Sequence, residues 1–153
     1  MGRASTLIGA LRAAGYESFV ADTAPLVYRF QRRSAPRLTV ACDALFDAVE
    51  RGEVTCFVSA VSVTEILVVP MRAGPGAVEA IDAFFHQPFL GIVEVGEAVA
   101  RRGARVLASR KTRRLADALI AATALEARVP LVTNDRRLAR SGVVDALLVS
   151  DFA

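Results

Sequence analysis

Four carboxylates in this 153-residue sequence stand in apolar company. Asp22 ends the run Ser18-Phe19-Val20-Ala21, and Asp135 follows Pro130-Leu131-Val132-Thr133-Asn134. Glu65 precedes Ile66-Leu67-Val68-Val69, and Asp117 is set in Leu115-Ala116-Asp117-Ala118-Leu119-Ile120. A buried or half-buried carboxylate costs several kcal/mol unless compensated, so each must cap a helix, pair with a cation or hold one. If the four converge, they cannot all stay ionised without a counter-charge, because like charges at ~4 Å repel strongly in a partly dry cleft. A hard divalent cation resolves the conflict. Oxygen ligands without usable histidine or cysteine select Mg²⁺ or Mn²⁺ over zinc. Such a site, with one or two ions, polarises a phosphodiester and activates water, which is nuclease chemistry.

The elements that must position these groups follow from periodicity. "ESFVAD" predicts a short buried strand ending at Asp22, and "LTVACDALFDAVERG" an amphipathic helix stopped by Gly52. "VTCFVSA" predicts a second strand, Ser62 to Met71 a helix, and "GAVEAIDAFFHQ" another helix opened by the breakers in "AGPG". "LGIVEV" is a third strand, followed by helices in "GEAVARRGARVLAS" and "LADALIAATALEAR". "VPLVTND" is a fourth strand and "DALLVSDF" a candidate fifth. Near-continuous apolar strands separated by helices specify an α/β fold with a mostly parallel sheet covered on both faces. In such a sheet, sites form outside the C-terminal strand ends, where Asp22 and Asp135 lie. A capped helix is also predicted from Thr6 to Ala14, between Ser5 and Gly15.

Each acid also has an ordinary reading. Ser62-Val63-Thr64-Glu65 matches a capping box, in which the glutamate returns to the N-cap N–H. Asp22 could cap the turn into "TAPLVY", and Asp135 could cap "RRLAR". Asp117 could pair with Arg113, four residues earlier, or favour a helix N-terminus. Taken together, these readings explain less well why acids recur at two strand ends and on two apolar helices.

Composition narrows the classes further. The length suits one domain with a sizeable core. No apolar run reaches the ~18–20 residues of a membrane span, and the apolar stretch "LIGAL" is too short for a signal sequence. The expectation is a soluble, cytoplasmic protein without membrane attachment. The only histidine, His86, and the two cysteines, Cys42 and Cys56, form no zinc or catalytic pattern. Both cysteines read as buried thiols. The net charge of +3 mildly favours an anionic partner.

In combination, "ADTAPLVY" with Asp22, "VSAVSVTEILVVP" with Glu65, "RRLADALIAATAL" with Asp117 and "LVTND" with Thr133 and Asp135 resemble the PIN-domain ribonucleases. Among these the pattern is similar to the VapC-like toxins of type II toxin–antitoxin systems, over 18–152. The resemblance implies a PIN-like α/β/α sandwich around a parallel sheet of about five strands. It also implies an acidic quartet of Asp22, Glu65, Asp117 and Asp135 that binds Mg²⁺ or Mn²⁺. Thr133 would orient water or a neighbouring carboxylate. The implied activity is endoribonuclease cleavage of single-stranded RNA leaving a 3′-hydroxyl, by a homodimer blocked by a cognate antitoxin protein. Two departures stand out: Ala116 replaces a proline common before the third acid, and residues 1–17 form an N-terminal extension of unread role before the domain at 18–153.

The loop "ASRKTRR" carries Arg110, Lys111, Arg113 and Arg114 just before Asp117, and reads either as a phosphate-binding flank of the cleft or as a solvated loop. Tyr28 or Phe30 could stack on a base, although a core role is the more ordinary one for them. One rival reading is a catalytically inactive PIN-like module that binds RNA or protein. Another is a phosphoacceptor domain using Asp22, which expects a lysine at a later strand end. The only lysine is Lys111.

Overall fold

The computed structural model describes residues 6–30 and 35–153. Five strands form one sheet: β1 (Ser18–Ala21), β2 (Thr55–Ser59), β3 (Leu90–Val93), β4 (Leu131–Thr133) and β5 (Ala146–Leu148), in the order β3-β2-β1-β4-β5. Every pairing is parallel. The helices are α1 (Leu7–Ala13), α2 (Thr23–Phe30), α3 (Pro36–Glu50), α4 (Ala60–Ala73), α5 (Pro75–Phe85), α6 (Glu97–Ala108), α7 (Leu115–Ala127) and α8 (Arg136–Ala139). A 3₁₀ turn, Val149–Asp151, follows β5. The α/β architecture and the five-stranded parallel sheet are as the sequence predicts.

Both faces of the sheet are covered, and β1 shows why its residues do not alternate in polarity. Phe19 and Ala21 enter one core with Leu26, Phe46 and Val58, while Val20 enters a second core with Ile120, Leu131 and Leu138. Leu7 and Leu11 place α1 in the first of these cores. Helix α7 is buried nearly all round, because it lies under the sheet and also receives α6 at Gly103, where a Cβ would come within 2.8 Å of Leu119.

Two local expectations change at helix starts, and a third is extended. Helix α4 begins at Ala60, capped by the Ser59 hydroxyl accepting from the Val61 N–H at 3.2 Å. Ser62 is therefore inside the helix and fully buried, so no capping box forms. The Thr6 hydroxyl caps α1, accepting from the Gly9 N–H at 3.1 Å; Ser5 lies outside the described residues. The segment after Asp22 is a two-turn helix, α2, with Pro25 in its first turn where the missing N–H is harmless. Arg29 fastens α2 to α3 through Asp43, Asp47 and Glu50 at 2.8–2.9 Å.

The turn from α3 into β2 depends on Gly52, whose φ is 72° and where a Cβ would lie 2.6 Å from the Phe89 ring. Gly52→Ala combines left-handed strain with overpacking, so it is expected to lower stability by about 1–3 kcal/mol. Urea unfolding checks this, and an unchanged midpoint would contradict it.

Candidate active site

The chain runs from β1 outward through β2 to β3, then returns to the other side of β1 for β4 and β5. The direction of winding therefore reverses at the β1–β4 boundary, where open parallel sheets place their clefts beyond the C-terminal strand ends. Asp22 directly follows β1 and Asp135 lies two residues beyond β4. Helix α4 leaves the C-terminal end of the neighbouring β2 and presents Glu65 from its second turn. Helix α7 presents Asp117 from its first turn. All four carboxylates line one open cleft of about 450 Å³. A somewhat larger groove between α1, α3 and the C-terminus, about 530 Å³, is mostly apolar and holds none of these acids.

Asp22 is the most enclosed of the four, at 7% exposure. Its Oδ1 accepts from the Thr23 N–H at 2.8 Å, and its Oδ2 accepts from the Thr133 hydroxyl at 2.6 Å. Thr133 Oγ1 in turn accepts from the Asp135 N–H at 3.0 Å, so one hydroxyl couples both strand ends. Burial pushes the Asp22 carboxyl above the ordinary aspartate value, against the hydrogen bonds from Thr133 and Thr23, and the charges of Glu65 and Asp135 push the same way as burial. Asp117 is also raised, chiefly by burial; Arg114 opposes this, while Asp22, Asp135 and Glu65 add to it. The four acids therefore act on one another electrostatically across the cleft.

Glu65 does not serve its own helix end. The Thr23 hydroxyl lies 2.7 Å from Glu65 Oε1 and 3.0 Å from the Ser62 hydroxyl oxygen. Thr23 has one proton and the carboxylate can only accept, so Thr23 donates to Glu65 and receives the proton of Ser62. Buried Ser62, Thr23 and Glu65 form a chain that fixes Glu65 over the cleft. Asp135 does cap α8, with Oδ1 accepting from the Leu138 N–H at 3.0 Å, which leaves Oδ2 free of this bond. Asp117 is approached by Arg114 at 3.8 Å, three residues earlier, rather than by Arg113.

Sequence reasoning missed Thr23, Ser62 and Asn134. Asn134 and Tyr28 also line the cleft, joined by a 3.1 Å hydrogen bond from the amide to the phenol oxygen. Phe30 instead packs edge-on against Phe84 at 5.0 Å, a core contact. His86 ends α5 with its Nδ1 2.7 Å from the Asp82 carbonyl, a structural position. Both cysteines are free and buried, and burial pushes the Cys42 thiol up to about 12 and the Cys56 thiol higher still, so neither is a nucleophile at neutral pH. Arg114 lies at the lip of the cleft, and Arg110, Lys111 and Arg113 are exposed in the loop before α7.

The donor set fits a hard divalent cation in kind: four carboxylates, a hydroxyl and an amide, with one guanidinium at the edge. It is not gathered around a point. Among the described residues, no three histidine, cysteine, aspartate or glutamate side chains are arranged to hold an ion. Mutual repulsion and the Thr23–Glu65 bond both favour this spread arrangement.

The family model of the PIN domain matches residues 20–143. Solved structures resemble the chain in fold. A chain of the crystal structure of VapBC2 from Rickettsia felis, bound to a DNA fragment from their promoter, matches with TM-score 0.67 and 15% identity, covering 86% of this chain and 98% of that one. A chain of FitAcB from Neisseria gonorrhoeae matches with TM-score 0.66 and 19% identity, covering 86% and 98%. A toxin-antitoxin complex from Klebsiella pneumoniae gives TM-score 0.63 and 20% identity, covering 86% and 97%. No curated protein matches the chain.

Proposed function

The chain belongs to the PIN-domain family, and from that premise we propose that it is a divalent-metal-dependent endoribonuclease acting on single-stranded RNA. In this reading it is the toxin of a toxin–antitoxin pair and works in the cytoplasm as a homodimer. Residues 18–153 are its nuclease domain, and residues 1–17 precede it. No helix among the described residues is long and apolar enough to cross a membrane.

The observation that carries the proposal is the convergence of Asp22, Glu65, Asp117 and Asp135, from four separate elements, on the cleft where the winding reverses. These four residues would hold Mg²⁺ or Mn²⁺. The ion would supply Lewis-acid polarisation of the phosphodiester and activation of a water for attack. The chain's own groups do the positioning. Thr133 and the Thr23 N–H each occupy one lone pair of Asp22, which fixes the carboxylate plane and leaves the remaining lone pairs for the cleft. Thr23 holds Glu65 opposite. Burial deprives Asp22 of water, so a cation recovers solvation that the fold has removed. Arg114 at the lip can contact a phosphate flanking the scissile bond.

The same cleft suits an inhibitor. An arginine or lysine from a cognate antitoxin can enter among the carboxylates in place of the metal, and the likeness in fold to chains of toxin–antitoxin complexes supports such a partner. The ungathered carboxylates support one second reading, a module that binds RNA or protein without cutting. Incubating defined single-stranded RNAs with the protein and Mn²⁺ separates the two. Internal cuts leaving 3′-hydroxyl ends are expected; every RNA remaining intact would overturn the nuclease reading.

A further inference from the structure

Helix α8 is a four-residue turn pinned in place rather than a free surface element. Asp135 caps it, and Leu138, at 2% exposure, enters the second core with Ile120 and Leu131. With Leu138 turned inward, Arg136, Arg137 and Arg140 are all exposed. The chain then turns at Gly142, where a Cβ would lie 3.9 Å from the Lys111 ammonium nitrogen. The turn that follows α8 and the loop before α7 are thus side by side, which brings the two arginine groups onto one surface. At one end of this surface Arg114 reaches Asp117 and the lip of the cleft. At the other, Arg136 follows Asp135 directly.

The charges here are not neutralised by the fold. Several arginines elsewhere find acids: Arg12 and Arg51 meet Glu53, Arg29 meets three carboxylates of α3, Arg101 meets Glu97 and Arg102 meets Glu126, while Arg37, Arg72, Arg105 and Arg128 are exposed without an ion pair among the described residues but are scattered over the surface rather than grouped. Among the described residues, Arg110, Lys111, Arg113, Arg136, Arg137 and Arg140 make no ion pair. Holding like charges together costs repulsion that a polyanion relieves. An acidic polypeptide would relieve it too, but the surface opens into four carboxylates that repel such a chain. A nucleic acid meets both halves, with its phosphates on the arginines and one phosphodiester at the acids.

We propose that Arg136, Arg137 and Arg140, continuous with Arg110, Lys111, Arg113 and Arg114, form a single basic track that holds the phosphates of the RNA on the Asp117–Asp135 side of the cleft. This rests on the RNA reading of the site. The test uses full-length Asp22→Asn protein with Mg²⁺ and a fluorescein-labelled single-stranded RNA, read by anisotropy across a series of KCl concentrations. Adding Arg136→Gln, Arg137→Gln and Arg140→Gln is expected to weaken binding by roughly tenfold or more. It should also make the slope of log affinity against log salt shallower by about 2, since each lost contact to a single strand removes ~0.7. The triple lysine variant should bind like the parent. A charge-matched control, Arg12→Gln with Arg51→Gln and Arg128→Gln, lies at the N-terminal ends of β2 and β4, opposite the cleft, and should change neither quantity. Unchanged affinity and slope in the α8 variant, or equal losses in the control, would overturn the track while leaving RNA binding intact. A parent that binds no RNA would overturn the RNA reading, and the track with it.

Discussion

Asp22→Asn is expected to lower RNA cleavage on the order of 10²–10³-fold, the loss typical of deleting one preorganised electrostatic partner from an active site. The substitution keeps volume and most contacts. Asparagine Oδ1 can still accept from the Thr23 N–H, while its Nδ2 donates to Thr133 Oγ1, so one hydrogen bond reverses direction. Folding should survive. Burial, then the charges of Glu65 and Asp135, raise the Asp22 carboxyl above its unfolded value, so the folded state holds this proton more tightly than the unfolded chain. The associated stability is present below pH ~4 and is lost as pH rises through the raised folded value. Metal-free wild type should therefore lose stability over that range relative to Asp22→Asn, and thermal melts in EDTA from pH 4 to 8 show it. A fully active variant would place the chemistry elsewhere. An unfolded one would make Asp22 a structural residue first.

Added Mn²⁺ should raise the melting temperature of wild type by about 5–10 °C, and that of Glu65→Gln by clearly less. Ligand binding to the folded state contributes RT ln(1 + [L]/Kd), or ~2.7 kcal/mol at a hundredfold excess over Kd, and a domain of this size gains about 2–4 °C per kcal/mol. Glutamine can accept the Thr23 hydrogen bond as glutamate does, so the metal-free variant should be as stable as wild type, or more so once one of four repelling charges is gone. Because Ser59 caps α4, no capping effect of Glu65 confuses the comparison. Equal shifts in both proteins would remove Glu65 from the metal site.

The parts legible in the sequence are those written in local pattern. Buried strands declare themselves as short apolar runs between helices, and in a parallel sheet the acids that end them must fall on one edge, so Asp22 and Asp135 could be placed from order alone. Arrangements that depend on distant partners were not legible. Ser62-x-x-Glu65 matches a capping box, but Ser59 stands three residues earlier at the strand end, and a short pattern cannot say which serine opens the helix. The geometry that settles it, Ser62 against Thr23, joins residues 39 apart. The same holds for Tyr28 with Asn134, 106 residues apart, and for Lys111 beside Gly142. Helix α2 is short and its sequence shows only an entry with Pro25 in the first turn, yet it places both Thr23 and Tyr28. Arg114 rather than Arg113 reaches Asp117 because the helix starts at Leu115, and only its precise first residue decides between the two spacings.

The central claim, that the four acids form a metal-dependent nuclease centre, is tested most directly by following one labelled single-stranded RNA with wild type and Asp22→Asn, each in Mn²⁺ and in EDTA. The account predicts internal cleavage by wild type in Mn²⁺ alone, abolished by EDTA and restored by excess Mn²⁺, with Asp22→Asn slower by at least a hundredfold. Cleavage that persists in EDTA, or that proceeds equally in Asp22→Asn, would contradict it.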